Sequence, residues 1–588
     1  MTRALATVLL TVFCASPAAA GVRTVWAVGD GDKIKRDTRA EPAPNDVWRN
    51  GTVGVFGARN EIVAFQLIVR ADGAGIRSLS AKLPELASDV AGSRIVYRAP
   101  GADPTDSVDR PIQLFVEHYM HVTSPSNASW IFQPGSPAAP VDALGWVPVQ
   151  LVPEQARPER GGLGLAVPAD LNQGLWFEIY TGRDRPAGIY RGTIDLVSDG
   201  VTRHVPVELE ILDFALPDEN SMHAMLFYTS DQPERYHGRN LDDAYNRFAH
   251  RYRAELVHEF DEQKVEQSWP RFSGEAFTRA RGYEGPGEGQ GNRIVPRSFY
   301  GPGKGFDVRA TAWELADRWM TFLQAKLPKA ITFLYMPDEP SPAQFPHIRE
   351  LADNIHSNPG PGRALPVFVT HEYAAPLEGA IDIWCSGPRG FKLDEVARER
   401  LRGRQYWFYN GIRPWSGAMI IDAPATEGRE LPWAAFKHGA DVYFFWHSVH
   451  WRHNSQKQGD RDQNVWANPV TFDDRGQPGK PLIDQGTING DGVLMYPGEE
   501  RLHPEEDRGI AGPVASIQLA NLRRGLQDHQ YLTLARQRGL TGAVDAALAA
   551  VVPKVFSDAG DRVSFPEHGD PYDRARLALG RAIAASKQ

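Results

Sequence analysis

Two adjacent carboxylates, Asp338 and Glu339, end the run Phe333-Leu334-Tyr335-Met336 and are bracketed by Pro337 and Pro340. An apolar, aromatic run of this kind reads as a buried strand. In a barrel of parallel strands, side chains at the C-terminal strand ends face the site. Like charges held close raise one pKa, so one carboxyl can stay protonated near neutral pH and act as a general acid. Cleavage of a glycosidic bond requires that division: one carboxyl protonates the leaving oxygen while another stabilises positive charge on the sugar. The same pair also fits a helix N-terminus, with Asp338 capping the helix after Pro340 and Glu339 in its first turn. The strand-end position favours the chemical reading.

Other residues at expected strand ends could hold a substrate. Tyr335, Tyr373, Trp384, Trp407, Tyr409, Trp415, Trp446, Trp451 and Tyr496 supply aromatic rings, and the flat C–H faces of sugars pack on such rings. Trp384, Tyr409, Trp446 and Tyr496 rank first by position, with core packing as the alternative for each. His371 and Glu372 follow a strand, and Glu372 could pair with Glu339 in a conventional two-carboxylate mechanism. His447, His450 and His453 are spaced three apart, but Trp451, Arg452 and Asn454 break the stretch, so polar contacts led by His447 are favoured over a zinc site. Asp30-Gly31-Asp32 lacks the later ligands of a calcium loop and reads as a turn. Cys385 has no catalytic partners in the sequence and reads as a buried, inert thiol.

The elements that must position these groups fall into two regimes. Between Val22 and Asp213 the chain is strand-like. Residues 60–69 and 175–180 are rich in β-branched and aromatic residues. Val205, Val207, Leu209 and Ile211 alternate with Pro206, Glu208 and Glu210, the period of a half-buried strand. This predicts an antiparallel β-sandwich over 21–216. From 217 to 540, strands at 223–229, 330–336, 366–371, 381–385, 405–410, 442–446 and 492–497 alternate with helices. The helices are expected near 242–256, 310–327, 342–357, 393–402, 427–438 and 513–537. That alternation predicts a (β/α)8 (TIM-type) barrel. Glycine-rich stretches at 285–291 and 301–305 read as mobile loops, and 541–588 as a small helical C-terminal tail.

Several pieces together resemble glycoside hydrolase family 123 and its wider relatives. ARNEIVAFQLIV, LWFEIYTGRDRPAGIYRGTIDL and ILDFALPDEN resemble the accessory sandwich and its exit, and YMPDEP the catalytic strand end. NGDGVLMYPG (489–498) resembles a late barrel strand. ASIQLANLRRGLQDHQYL (515–532) resembles the closing helix, with Arg524, Gly525, Asp528, Tyr531 and Leu532 in pattern. The resemblance spans nearly all of the chain after residue 20. It implies a β-N-acetylgalactosaminidase-like, retaining mechanism in which the substrate's own 2-acetamido oxygen attacks the anomeric carbon. Asp338 would then stabilise the oxazolinium and Glu339 act as acid and then base, with no cofactor and no metal. A glycosidase of non-acetamido polysaccharides, or a glycan-binding protein without turnover, remains an alternative.

The chain's 588 residues carry a net charge of -9, which excludes a broad basic field for nucleic acid. The expected partner is an oligosaccharide or polysaccharide. Residues 1–20 read as a cleaved secretory signal: Arg3, an apolar stretch from Ala4 to Phe13, and Ala18-Ala19-Ala20. The remainder holds Cys385 as its single cysteine and no long apolar run, predicting a secreted or periplasmic bacterial protein without a membrane span. The number of subunits is not set by the sequence.

Overall fold

The computed structural model describes residues 21–586 apart from 91, 133, 134, 456 and 481–484. The expected signal segment lies outside the described residues. Two sheets form the N-terminal sandwich. The first is antiparallel, in the order Val22–Gly29, Ile62–Ala71, Asn172–Tyr180, Ile112–Val122, Gly145–Pro153. The second centres on Gly188–Ser198 and Val201–Ala215, joined by the Asp199-Gly200 turn. Val205, Val207, Leu209 and Ile211 face the inter-sheet core, as their alternation predicts. Phe65 and Phe177 stack there at 5.0 Å. One pair departs from the antiparallel expectation: Thr52–Arg59 runs parallel to Val201–Ala215. Ile62–Ala71 and Asn172–Tyr180 are buried along their whole length, because the outer face of their sheet is covered as well.

The second region is barrel-like. Seven parallel strands form one sheet in the order Ala254–Val257, His223–Phe227, Val442–Phe445, Gln405–Tyr409, Ile383–Ser386, Val367–Val369, Leu334–Tyr335. The irregular segment 293–297 lies between its two edges. Val295 and Arg297 donate to the carbonyls of Ile331 and Phe333. On the other side, Glu255 Oε2 accepts the N–H groups of Arg293 and Ile294 at 2.7 and 2.9 Å. Alternation along the strands fills the interior with Met225, Val257, Phe333, Tyr335, Phe368, Ile383, Cys385, Trp407, Val442 and Phe444. Cys385 is the buried thiol expected.

Two sequence expectations are corrected. The helix expected over 242–256 stops at Arg251, and Ala254–Val257 is a strand of the parallel sheet. Residues 492–497 do not join that sheet; Met495–Pro497 pairs antiparallel with Pro513–Ala515. The loop 285–291 is packed tightly enough that a Cβ on Gly291 would stand 1.9 Å from the Phe272 carbonyl oxygen.

The helix Ile517–Gln537 lies between the two regions and is buried on all sides from Ile517 to Leu532. Its charged residues at 523, 524 and 528 are therefore paired. Arg523 Nη2 meets Glu178 at 2.5 Å, and Gln527 donates to the Ile62 carbonyl at 3.1 Å. Arg524 meets Glu61 at 3.1 Å, and Asp528 meets Arg429 at 2.6 Å. Arg576, from the helix Gly569–Ala585, pairs with both Glu61 and Asp528. The expected tail thus closes a buried ion network, and it buries Tyr572, Leu579 and Ile583 beside it. Gly525 lets the helix approach closely: a Cβ there would lie 2.5 Å from the Arg429 carbonyl oxygen.

Glu61 accepts from Arg524, Arg576, the Tyr531 hydroxyl and the Ala58 N–H with its side chain fully buried. Replacing it with Ala takes one carboxylate from two buried guanidinium groups, leaving Arg576 with Asp528 and Arg524 with Asp573 and Asp30. Urea unfolding of Glu61→Ala should therefore show a loss of ~3–5 kcal/mol. A loss below ~1 kcal/mol would mean that this network does not hold the two regions together.

Candidate functional site

Asp338 and Glu339 lie just past the short strand Leu334–Tyr335, and both are exposed. Neither caps a helix. That role belongs to Ser341, which forms a reciprocal capping box with Gln344 ahead of the helix Phe345–His356. Asp338 is anchored to its own side of the barrel. Its Oδ1 accepts from the Tyr335 hydroxyl at 2.7 Å and the Thr370 hydroxyl at 2.8 Å. Thr370 also accepts the Glu339 N–H at 3.0 Å, which fixes the backbone between the two carboxylates.

Glu339 reaches across the mouth. Its Oε1 accepts from the Tyr409 hydroxyl at 2.6 Å, and Tyr409 belongs to a strand three places along the sheet. Burial and the Glu339 charge push the Tyr409 phenol far above its ordinary value, so it stays a donor. Glu339 has a φ of 41°, a left-handed conformation that costs an L-residue ~1–2 kcal/mol. Such strain collects at sites whose surroundings over-determine the geometry. Two other left-handed residues lie at this mouth: Tyr300, φ 52°, and Asn410, φ 55°. Tyr300 donates to the Trp446 carbonyl at 2.6 Å, and Asn410 Oδ1 accepts the Trp446 N–H at 3.1 Å.

A third carboxylate stands beyond Tyr300. Asp491 Oδ1 accepts from Trp446 Nε1 at 2.9 Å. Burial pushes its carboxyl up to about 6, against the opposing hydrogen bonds from Trp446, Trp130 and Gly492. The Tyr300 phenol is pushed up by burial and, in lesser measure, by the charges of Asp338, Glu339 and Asp491.

The sequence candidates divide by strand parity. Tyr335, Tyr409, Trp446 and His447 come together at the mouth. His447 is buried against Phe227 and Trp446, and burial holds its imidazole well below the usual range. Trp384 does not join them. Its neighbours Ile383 and Cys385 face the interior, so its indole points outward and donates to Glu399 at 3.1 Å. Tyr373 donates to Glu378 at 2.6 Å beneath Arg398, on the outer side. Tyr496 packs on Trp466 off the sheet. Glu372 faces Lys392 at 3.6 Å and packs on Gly390, while His371 turns its Nδ1 to the Glu372 carbonyl. Neither contact brings them to Asp338 or Glu339. Among the described residues no His, Cys, Asp or Glu cluster is disposed to hold a metal ion, and Asp30-Gly31 is a turn. No helix among them is long and apolar enough to cross a membrane.

Sequence reasoning missed Thr370, Tyr300, Asp491 and Trp130. Asp491 was within reach, since it sits in the Asn489-Gly490-Asp491-Gly492 turn. Gly492, φ 80°, makes room for the Trp446 ring, from which a Cβ would be 2.6 Å away.

No family model and no curated protein sequence matches this chain. Among solved structures it is similar to a family 123 glycoside hydrolase from Clostridium perfringens, at 13% identity and a TM-score of 0.61. The match covers 95% of this chain and 97% of that one, and it shows a shared fold. A β-glucuronidase from Parabacteroides merdae matches at 9% identity over 65% of this chain and 45% of that one, with a TM-score of 0.22. An endo-β-1,4-mannanase from Thermotoga petrophila matches at 10% identity over 52% and 57%, with a TM-score of 0.20. Neither of these two carries an argument.

The raised Asp491 carboxyl has a consequence for stability. A folded value of about 6 against 3.8 favours the neutral form in the folded protein. That contribution is present below pH ~4 and is lost as the pH rises through about 6. Asp491→Asn stays neutral throughout. Its unfolding free energy relative to wild type should therefore rise by ~3 kcal/mol between pH 4 and pH 7. Paired denaturation curves that keep a constant offset would show that the carboxylate is ionised without penalty.

Proposed function

We propose that the protein is an exported glycoside hydrolase acting on β-linked 2-acetamido sugars, with retention and with the acetamido group as the internal nucleophile. The observation that carries this reading is the split anchoring of two adjacent carboxylates. Asp338 is pinned at one strand end, while Glu339 is swung to Tyr409 on the far side of the mouth. Adjacent residues held this way can serve one sugar in two roles. Asp338 orients the acetamido group and stabilises the oxazolinium. Glu339 protonates the leaving oxygen and then deprotonates water. No second carboxylate across the ring is required, whereas a conventional retaining pair stands ~5 Å apart on opposite sides of the scissile bond. Glu372, the reserve for that conventional pair, is turned to Lys392. The fold shared with the Clostridium perfringens enzyme supports the reading. So does the curled parallel sheet, which we take to be an irregular (β/α)8 barrel closed through 293–297.

Fluorogenic glycosides paired as 2-acetamido and 2-hydroxy forms test this. Wild type should release fluorophore from β-N-acetylgalactosaminides, and Glu339→Gln should lose ~10²–10⁴ in kcat/KM. Asp338→Asn should lose activity on the acetamido sugars specifically. Equal turnover of the 2-hydroxy sugars would remove the substrate-assisted step. Unchanged activity in Glu339→Gln would remove the assignment altogether. Tyr409→Phe, which deletes the hydroxyl at Glu339, should lower kcat about tenfold and shift the acid limb of its pH profile.

A further inference from the structure

The two carboxylates leave unexplained a group of side chains beside them. Asp491, buried at the mouth, holds the Trp446 indole, and a second indole, Trp130, comes to the same place from a distant part of the chain. Trp446 follows a barrel strand and donates to Asp491 at 2.9 Å, and Trp130 contacts Phe472, which also contacts Trp446. Trp130 belongs to residues 123–144, which leave the sandwich between the strands Ile112–Val122 and Gly145–Pro153. This excursion is docked firmly on the barrel region. Ser126 donates to Asp422 through both its N–H and its hydroxyl, and the hydroxyl in turn accepts the Asn489 N–H at 2.9 Å. Ile131 and Phe132 are buried against Ala418, Ile420 and Ile488. Trp130, immediately before them, is 38% exposed.

The exposed indole is nevertheless fixed. Lys480 Nζ lies over its ring at 4.7 Å and is itself paired with Asp474 at 2.7 Å. Phe472 meets the ring edge-on at 6.3 Å and also contacts Trp446 at 5.7 Å. Trp446 is bonded through its carbonyl to Tyr300, whose ring lies 5.6 Å from that of Tyr335, and Tyr335 donates to Asp338. A continuous aromatic path therefore runs from the carboxylates to Trp130. A single sugar held at Asp338 and Glu339 does not need its far end. An immobilised aromatic face offers apolar area at little entropic cost, which suits the C–H face of a neighbouring sugar.

We propose that Trp130, its indole held by Phe472 and Lys480, is the platform for the sugar next to the one held at Asp338 and Glu339. The inference rests on the glycosidase reading and deepens it: the substrate is an oligosaccharide, and the sandwich supplies part of its recognition.

The test uses full-length Glu339→Gln protein, which leaves the glycan uncleaved. Calorimetry compares N-acetylgalactosamine with a β-N-acetylgalactosaminyl disaccharide and tetrasaccharide. The tetrasaccharide should bind about tenfold tighter than the monosaccharide. Adding Trp130→Ala should erase that gain and leave monosaccharide affinity within about twofold. Trp130→Phe should restore part of the gain. A gain that survives Trp130→Ala overturns the proposal while the hydrolysis of fluorogenic glycosides keeps the glycosidase reading standing. Absence of binding by every sugar in the series, with no hydrolysis by wild type, overturns both.

Discussion

The arrangement of the whole molecule depends on one buried exchange of charge. Arg429, Arg524 and Arg576 meet Asp30, Glu61, Asp528 and Asp573 where the sandwich, the barrel helices and the C-terminal helix converge. Charges removed from water are tolerable only when each is met by an opposite charge in good geometry. This condition can be satisfied here only if all three parts are in place together. Burial pushes the Asp30 carboxyl up, and Arg524 opposes it. The cluster adds paired charge to the apolar contact between sandwich and barrel, and Trp130 reaches the barrel mouth only in that placement.

The mouth follows a second rule: each of its polar groups is held, at least in part, from a strand other than its own. Glu339 is held by Tyr409, Trp446 by Tyr300 and by Asn410 at the end of the next strand, and Asp338 by Thr370 on the neighbouring strand. Bonds that span a ring of strands make each functional side chain sensitive to the closure of the ring. The left-handed backbone at Glu339, Tyr300 and Asn410 is tolerated because these bonds offset its cost.

Local signals in the sequence carried the strands and helices well where their period was clean. The alternation at 205–211 and the helices at Arg309–Lys326 and Glu427–His438 are examples. They failed where two periods met. Ala254–Val257 follows a helix after two residues and extended its pattern by one turn. Asp338, Glu339 and Tyr409 were legible from a strand end. Trp384 was misplaced although parity already decided it, because Cys385 beside it fills the interior. Thr370, Tyr300 and Trp130 were beyond local reasoning: each acts through a partner far along the chain, and a lone Thr or Trp carries no mark of such a partner. The roles of Arg524 and Asp528 were likewise visible only as a pattern, and the structure supplies its physical reason.

The Glu61–Arg576 pair joins residues 515 positions apart. A ribosome must add nearly the whole chain between them before the first can be neutralised. The sandwich strands can find each other early, since their pairings are largely among themselves, but Glu61 then waits on an uncovered sheet face without its countercharges. Final docking is consequently a late and non-local event, and its closure entropy has to be met before any of its contacts stabilise the product. Until then the half-finished chain presents the sheet face that Ile517–Gln537 will cover. The order of synthesis therefore sets a period during which this protein depends on whatever keeps nascent apolar surfaces apart.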